Sequence, residues 1–468
     1  MHRMRATTRT SVVAALASAG VHVIIVGAGE VGWYLAQRLG AESHDVVVIE
    51  QDEVIARALG DELDVQTVVG SGTHPSILRA ARVERAELFA GVTQDDEVNL
   101  ISSALAKHLG AKKTVVRLQT DELRGPDGAH LRELVDADLI IDPDADTAEE
   151  ILRLVSVSGA DEVYPMAGGS LVVLGVVVGP GSPMVQRTLA EVGRSTEHWR
   201  FLFGSVTRNG ETIIPRGDTT VAPGDHVRVL CNTNRQREVL EALDAVGKRV
   251  RKVMVLGGGS VGSRVAEHLA VTADVTLVER DTERATALAE RLRRVTIVHG
   301  DITDTNLLTE ESVATTDVVI AATGEDTANV LACAFAAAQN EDAFTVAVLH
   351  RLALLPLVRQ FGIDAALSPR TASANAVLQA LRGGTASVAT FLDSDVEVDE
   401  FVIGAGSPGD GAKVRNLHLS RSVLLGAVVR QDGSSEIVRG DTELHAGESI
   451  VLFARPAALP EMRRVFGS

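Results

Sequence analysis

The sequence predicts an α/β protein: two doubly wound, parallel-sheet lobes, each followed by a small strand-rich α/β lobe. Three observations carry this. An apolar strand run followed by G-x-G-x-x-G occurs twice, as Val23-Ile24-Ile25-Val26-Gly27-Ala28-Gly29-Glu30-Val31-Gly32 and as Val253-Met254-Val255-Leu256-Gly257-Gly258-Gly259-Ser260-Val261-Gly262. Landmarks beyond the glycines recur at a constant offset of 230 positions (257 − 27): Gly70 and Gly300, Thr93 and Thr323, Asp96 and Asp326, Asn99 and Asn329. After each copy the texture changes, from strands alternating with helices to short β-branched runs broken by turn residues.

Each part of the glycine signature has a physical task. The first Gly allows a tight turn, the second lets the backbone approach a pyrophosphate, and the third permits close helix–strand packing. The helix that follows offers free N–H groups and partial positive charge to phosphates. An acid closes the second strand of each copy, Glu50 after Val46–Ile49 and Glu279 after Val275–Val278. It falls about 20 residues beyond the last signature glycine, where a carboxylate meets ribose hydroxyls.

The elements follow in order. Residues 21–145 form the first nucleotide-binding lobe, with strands at Val21–Val26, Val46–Glu50, Thr67–Val69, Leu88–Val92, Thr114–Leu118 and Leu139–Ile141. Segments of helical pattern, such as Trp33–Leu39 and Val98–His108, separate them. The Asp142-Pro143-Asp144 break ends the lobe, and residues 146–160 read as a crossover helix. Residues 161–245 form the first small lobe: the apolar strand Leu171–Val178, a turn at Gly179–Pro183, a short helix at Val185–Glu191, and a hairpin of Phe201–Arg208 with Thr212–Ile214 joined at Asn209-Gly210. Residues 250–372 repeat the nucleotide lobe, 373–384 the crossover and 385–466 the small lobe, with Gln431-Asp432-Gly433 echoing the hairpin. Residues 1–20, with a basic start and a short apolar run, have the grammar of an export signal. Because the chain then enters a nucleotide-fold strand directly, this stretch is expected to be a disordered leader or an extended start.

Composition bounds the function. The chain has 468 residues, 45% apolar but only 3% aromatic, which suits the Val/Ile/Leu/Ala cores of parallel sheets. No uninterrupted apolar run reaches the ~18 residues of a membrane span. The formal charge of −18 argues against a general nucleic-acid binder. Cys231 and Cys333 lack metal or redox spacing and read as reduced structural thiols of a cytosolic protein.

At this point the chain resembles the TrkA family of peripheral potassium-uptake proteins, built from two RCK (regulator of potassium conductance) domains in tandem. The resemblance runs from Val21 to Phe466. Its carriers are the two glycine signatures, Glu50 and Glu279, Gly70-Ser71-Gly72 and Gly300-Asp301, the Thr93-Gln94-Asp95-Asp96-Glu97…Asn99 segment, and the repeated small lobes. It implies a cytosolic gating ring, assembled from several chains, that binds nucleotides and docks under a membrane potassium transporter of the TrkH type. Gly27, Ala28, Gly29, Glu30, Val31 and Gly32 would then cradle a diphosphate, and Glu50, with Gln51 beside it, would take the adenosine ribose. An acid there repels a 2′-phosphate, so NAD(H) is expected over NADP(H), with ATP or ADP as further ligands. Gly70, Ser71 and Gly72 fall where adenine edges lie. Thr93, Asp96 and Asn99 face the diphosphate crevice, and Arg117 reaches the phosphates or a neighbouring subunit.

The second site is expected at Gly257, Gly258, Gly259, Ser260, Val261, Gly262, Glu279, Arg280, Gly300, Asp301, Thr323 and Asn329. It departs from the first. Val348 stands where Arg117 would be, Gly258 replaces Ala28, Asp301 replaces Ser71, and Asp281 offers a second carboxylate for the ribose. A weaker or different nucleotide preference follows.

The other reading is an NAD-dependent oxidoreductase with a duplicated nucleotide fold. That reaction needs a substrate domain with an acid–base group aimed at the nicotinamide. The 161–245 insert is short, its His198 and His226 are isolated, and no metalloprotease or P-loop motif occurs. A non-enzymatic sensor is therefore expected. Its hinges fall at Asp142-Pro143 and Ser368-Pro369. Its apolar helices Val98–Ala106 and Asn329–Ala338 offer faces for a homotetramer, with Trp33 and its helix less central.

Overall fold

The computed structural model describes residues 20–41, 44–120, 135–195, 201–381, 388–391 and 394–467. The leader and His198 lie outside the described residues. Six strands open the fold: β1 (His22–Val26), β2 (Asp45–Glu50), β3 (Gln66–Val69), β4 (Leu88–Gly91), β5 (Lys113–Arg117) and β6 (Leu139–Ile141). They pair in the order β3-β2-β1-β4-β5-β6, all parallel. Chain direction across the sheet reverses between β1 and β4, which opens a crevice at the carboxyl end of β1. Helices α1 (Glu30–Ala41), α2 (Glu53–Glu62) and α3 (Asp96–Leu109) cover the sheet. With both faces covered, β1 is buried along its whole length, hence its unbroken apolar run.

Helix α4 (Pro143–Ser156) leaves this lobe, with Pro143 in its first turn and the Asp142 carboxylate capping Ala145 N–H at 3.0 Å. The first small lobe is an antiparallel sheet of β7 (Glu162–Met166), β8 (Leu171–Val177), β9 (Phe201–Arg208), β10 (Glu211–Ile213) and β11 (His226–Asn232), in the order β10-β9-β11-β8-β7. Its hairpin turns at Asn209 and Gly210 with φ of 53° and 80°, the left-handed pair a two-residue turn demands. The expected helix at Val185–Glu191 starts later, as α5 (Leu189–Ser195). A capping box sets the start. The Glu191 carboxylate accepts Thr188 N–H at 2.9 Å, and Glu191 N–H reaches Thr188 Oγ1 at 3.2 Å. Val185 is held instead in a bridge to Val221.

The second half repeats the plan. Strands β12 (Lys252–Leu256), β13 (Asp274–Glu279), β14 (Val295–His299), β15 (Val318–Ala321), β16 (Phe344–Val348) and β17 (Ala365–Leu367) pair as β14-β13-β12-β15-β16-β17, with α6 (Ser260–Leu269), α7 (Thr282–Arg291) and α8 (Asp326–Gln339). Helix α9 (Pro369–Leu381) crosses to β18 (Val388–Thr390), β19 (Glu397–Val402), β20 (Val423–Val429), β21 (Ser435–Ile437) and β22 (Ser449–Ala454), ordered β18-β19-β22-β20-β21. The fold is α/β, with two Rossmann-like lobes and two antiparallel ones.

The halves are interlocked rather than strung out. Helix α4, from the first half, shares a core with α6 of the second: Ala148, Ile151, Leu154 and Val155 pack with Val261, Val265, Ala266 and Leu269. Helix α9, from the second half, places Ala374, Val377 and Leu378 in the core of the first nucleotide lobe, beside Val31, Leu35 and Leu39 of α1. Each crossover helix thus covers the opposite lobe, and Trp33 is packed at the edge of that first core.

The small lobes meet face to face in one apolar cluster. A bulge at Gly204 in β9, between the pairs Arg228–Ser205 and Val229–Phe203, admits the Phe453 ring of the other lobe. A matching irregularity at Gly426 in β20 admits Leu230, whose Cδ2 lies 2.6 Å from where a Cβ would stand. Arg228 is fully buried beneath this seam. Its Nε and Nη2 donate to the Glu162 carboxylate at 2.7 Å each, and its guanidinium carbon lies 4.1 Å from the centre of the Phe391 ring.

Asp161 joins the first small lobe to the second nucleotide lobe. His226 Nε2 lies 2.9 Å from its Oδ1, and Arg359 Nη2 donates to its Oδ2 at 2.9 Å. Burial alone raises this carboxyl, but the His226 and Arg359 contacts outweigh burial and hold it at about 2 against an ordinary 3.8. Depressed in the folded state, it contributes stability above the unfolded value, and that stability is lost as pH falls from about 4 towards 2. The loss is expected to be about 2 kcal/mol. Denaturant titrations between pH 5 and 2 check it: wild type and Asp161→Asn should converge as pH falls, and parallel curves would contradict the assignment.

Candidate nucleotide clefts

The first cleft is built from strand ends. Gly27 leaves β1 with φ of +101°, a left-handed conformation, and its N–H donates to Ile49 O at 2.9 Å. A Cβ on Gly27 would stand 2.9 Å from Thr93 Cγ2, and one on Gly32 would run into the Gly27 carbonyl oxygen. Gly29 differs: nothing lies within 4 Å of where its Cβ would be. The open face of the turn therefore lies over Gly29, at the start of α1. Glu50, at the end of β2, accepts Ala28 N–H at 2.7 Å through Oε2 and Asp52 N–H at 2.9 Å through Oε1. Gly70 and Gly72 are packed against Ile77 and Val26, each with a side-chain carbon 2.6 Å from a notional Cβ, and Ser71 Oγ pairs with Thr73 Oγ1 at 2.8 Å. Gln51 is exposed beside Glu50.

On the other wall, Asn99 is fully buried and clamps the loop after β4. Its Oδ1 accepts Thr93 N–H at 2.9 Å and Thr93 Oγ1–H at 2.7 Å, while its Nδ2 donates to Thr93 O and Arg117 O, both at 3.0 Å. Asp96 faces the next strand end, accepting Gln119 N–H at 3.0 Å and Thr120 N–H at 2.8 Å. Thr93, Asp96 and Asn99 thus shape the crevice with their polar atoms already engaged. Arg117 completes the wall, its Nη1 3.4 Å from Thr93 O. Burial lowers its pKa, opposed by Asp144 and Asp96.

The second cleft repeats this geometry. Gly257 has φ of +108° and donates to Val278 O at 2.8 Å, a Cβ on Gly262 would strike Gly257 O, and the space over Gly259 is open. Ser260 and Val261 begin α6. Glu279 accepts Gly258 N–H at 2.8 Å and Asp281 N–H at 2.7 Å. Asn329 repeats the clamp on Thr323 and on Val348 O. A Cβ on Gly258 would crowd the Leu288 side chain, at 2.4 Å from its Cδ1. The Asp281 carboxylate caps α7 by accepting Arg284 N–H at 2.8 Å, the task Asp52 performs in the first lobe. Asp301, next to Gly300, is held below its ordinary value by N–H and O–H donation from Thr303.

Two features escaped the sequence reading. Asp326 accepts the N–H groups of His350 and Arg351, both at 2.8 Å, so a histidine and an arginine stand at a strand end that carries Gln119 and Thr120 in the first lobe. Extending the repeat three residues past Val348 would have found them. The second feature is cross-lobe. Arg370 at the start of α9 ion-pairs with Glu30 of the first signature, and Arg264 of α6 meets Asp142 at 3.1 Å. No local pattern signals a pair 340 positions apart (370 − 30).

A dinucleotide fits what is present: an open turn over a helix N-terminus, a carboxylate fixed at the second strand end, and a crevice at the topological switch point. The fold and its two clefts define a tandem Rossmann-type protein with paired accessory lobes. Domain models described as TrkA-N domain match residues 23–143 and 253–369, and models described as TrkA-C domain match 173–244 and 398–467. The chain belongs to the TrkA family. It is 34% identical over 451 residues to a Trk system potassium uptake protein TrkA homolog of Archaeoglobus fulgidus, covering 95% of this chain and 100% of that one. It is 31% identical over 437 residues to Trk system potassium uptake protein TrkA of Halomonas elongata, covering 92% and 95%. Among solved structures, the GsuK RCK domain superposes with a TM-score of 0.57 at 17% identity, over 95% of this chain and 94% of that one. The GsuK channel bound to NAD gives 0.58 at 17% identity, over 95% and 78%. At that identity the likeness establishes the RCK fold.

Proposed function

We propose that the chain is a nucleotide-sensing regulatory subunit of a potassium-uptake system, binding NAD(H), ATP or ADP in its glycine clefts and gating a TrkH-type membrane transporter. The observation that carries the reading is the built cleft, present twice, with open space over Gly29 and Gly259 and a carboxylate fixed at Glu50 and Glu279. The relatives' potassium-uptake names supply the transport role. The small lobes bury their apolar faces on each other, which supports a structural rather than a catalytic use of them. None of the helices among the described residues is long and apolar enough to cross a membrane.

Each crossover helix begins against the opposite lobe's signature helix, at Arg370–Glu30 and Asp142–Arg264, and then runs into a small lobe. A ligand on either turn therefore bears on an element shared by both halves, which is what coupling between sites requires. Ile101 on α3 and Leu331 on α8 are 52% and 58% exposed and favour these helices as ring contacts in a homotetramer. Potassium flux through the reconstituted transporter tests the function. Flux should depend on nucleotide identity; equal flux with every nucleotide, and without the protein, refutes it. Light scattering tests the ring, which a stable 49.4 kDa monomer with nucleotide bound would contradict.

Glu50→Gln is expected to weaken NADH binding by about 1–3 kcal/mol, because a charged acceptor becomes a neutral amide. Calorimetric titration checks it, and unchanged affinity would remove Glu50 from the ribose contact.

A further inference from the structure

The second glycine turn is bridged by an ion pair that the first lacks. A Cβ on Gly257 would stand 2.8 Å from Thr323 Cγ2, and one on Gly258 would stand 2.9 Å from Glu279 Oε2, so the ends of β15 and β13 flank the turn. Arg280 follows Glu279, and Glu325 lies two residues beyond Thr323. Arg280 Nη1 reaches Glu325 Oε1 at 3.2 Å, joining the two walls. In the first cleft the same places hold Gln51 and Asp95. Asp95 caps α3, accepting Val98 N–H at 2.9 Å. Glu325 holds the corresponding position on α8 but makes no side-chain cap bond. The longer acid leaves its helix uncapped and reaches Arg280 instead.

We infer that the Arg280–Glu325 pair is a latch over the second cleft, opened by a nucleoside di- or triphosphate whose terminal phosphate takes Arg280 from Glu325. This rests on the nucleotide-binding reading. Val348 occupies the place that Arg117 holds on β5, so the second cleft carries cations at Arg351, beyond the end of β16 and paired with Asp326, and at Arg280 on the opposite wall. The pair is solvent-exposed, at 68% and 61%, so it is weak enough for a ligand to open. A terminal phosphate carries close to two negative charges and competes well with a carboxylate for a guanidinium. The diester phosphates of a dinucleotide carry one each, and its second half must pass Glu325 to reach the end of β15. Released, Glu325 is free to cap α8. The second cleft thereby prefers nucleoside polyphosphate, while the first, with no such pair, accepts the dinucleotide.

Calorimetric titration of the full chain with ADP and with NAD tests this, using Arg280→Gln and Glu325→Asp, which install the first cleft's residue types. Arg280→Gln should weaken ADP binding at one site by about tenfold or more and leave NAD affinity unchanged. Glu325→Asp should strengthen ADP binding severalfold. An unaltered ADP isotherm in Arg280→Gln, or equal weakening of ADP and NAD, overturns the latch while the nucleotide reading stands. Wild-type protein that binds neither ligand overturns both.

Discussion

Arg228→Ala is expected to lower the stability of the chain by about 3–5 kcal/mol, the cost of stranding one partner of a buried ion pair. Arg228 is fully buried, and both of its hydrogen bonds to Glu162 are 2.7 Å. Removing the guanidinium leaves the Glu162 carboxylate, 15% exposed, beneath a sheet seam without its bidentate donor. It also removes the cation from the Phe391 ring, which stacks edge-on with Tyr164 at 5.2 Å. Phe391 belongs to the second half of the chain, so the loss falls on the seam between the small lobes. Replacing Glu162 and Arg228 together with apolar residues should recover much of the loss, because no charge is then left unpaired. Urea unfolding decides it: a deficit below about 1 kcal/mol for Arg228→Ala would show that the pair is solvated in solution.

Gly32→Ala is expected to abolish nucleotide binding in the first lobe and to destabilise it by about 2–3 kcal/mol through overpacking. The added methyl runs into the Gly27 carbonyl oxygen, and both groups belong to the same turn, so no side chain can move to relieve the clash. Helix α1 must lift off β1, which scatters the N–H groups that face the cleft. Gly262→Ala should do the same to the second lobe. Gly29→Ala separates folding from binding. Its methyl meets nothing within 4 Å, so the melting temperature should hold while the phosphate loses its place. Titration stoichiometry and melting curves measured on all three variants check this. Wild-type binding in Gly32→Ala would remove the turn from the site.

Much of this protein was legible because its signals are local. Gly27 and Gly32 are demanded by a backbone turn a few residues long, and the strand runs around them are apolar because both sheet faces are covered. Asn209-Gly210 specified its hairpin through two left-handed residues. The α5 start was legible too, in Thr188 and Glu191, but the apolar residues before it suggested an earlier helix. The roles of Asp96 and Asn99 were not legible. A carboxylate and an amide near a crevice read as ligand contacts; the structure adds that Asp96 accepts N–H groups of the next strand end and that Asn99 ties Thr93 to the Arg117 carbonyl.

By itself the sequence determined the duplicated plan, the alternation of strands and helices, the turn chemistry and the acids at Glu50 and Glu279, whereas the strand order is a property of the tertiary structure. Only the tertiary structure decided which half covers which. Helices α4 and α9 each bury an apolar face on the nucleotide lobe of the opposite half, and nothing in a repeated pattern distinguishes packing at home from packing across. The exchange is set by long-range complementarity: Phe453 against Gly204, Leu230 against Gly426, Arg370 against Glu30 and Arg264 against Asp142. Such contacts leave no periodic trace, because burial of an apolar stripe is non-directional and its partner is chosen by shape and charge in three dimensions.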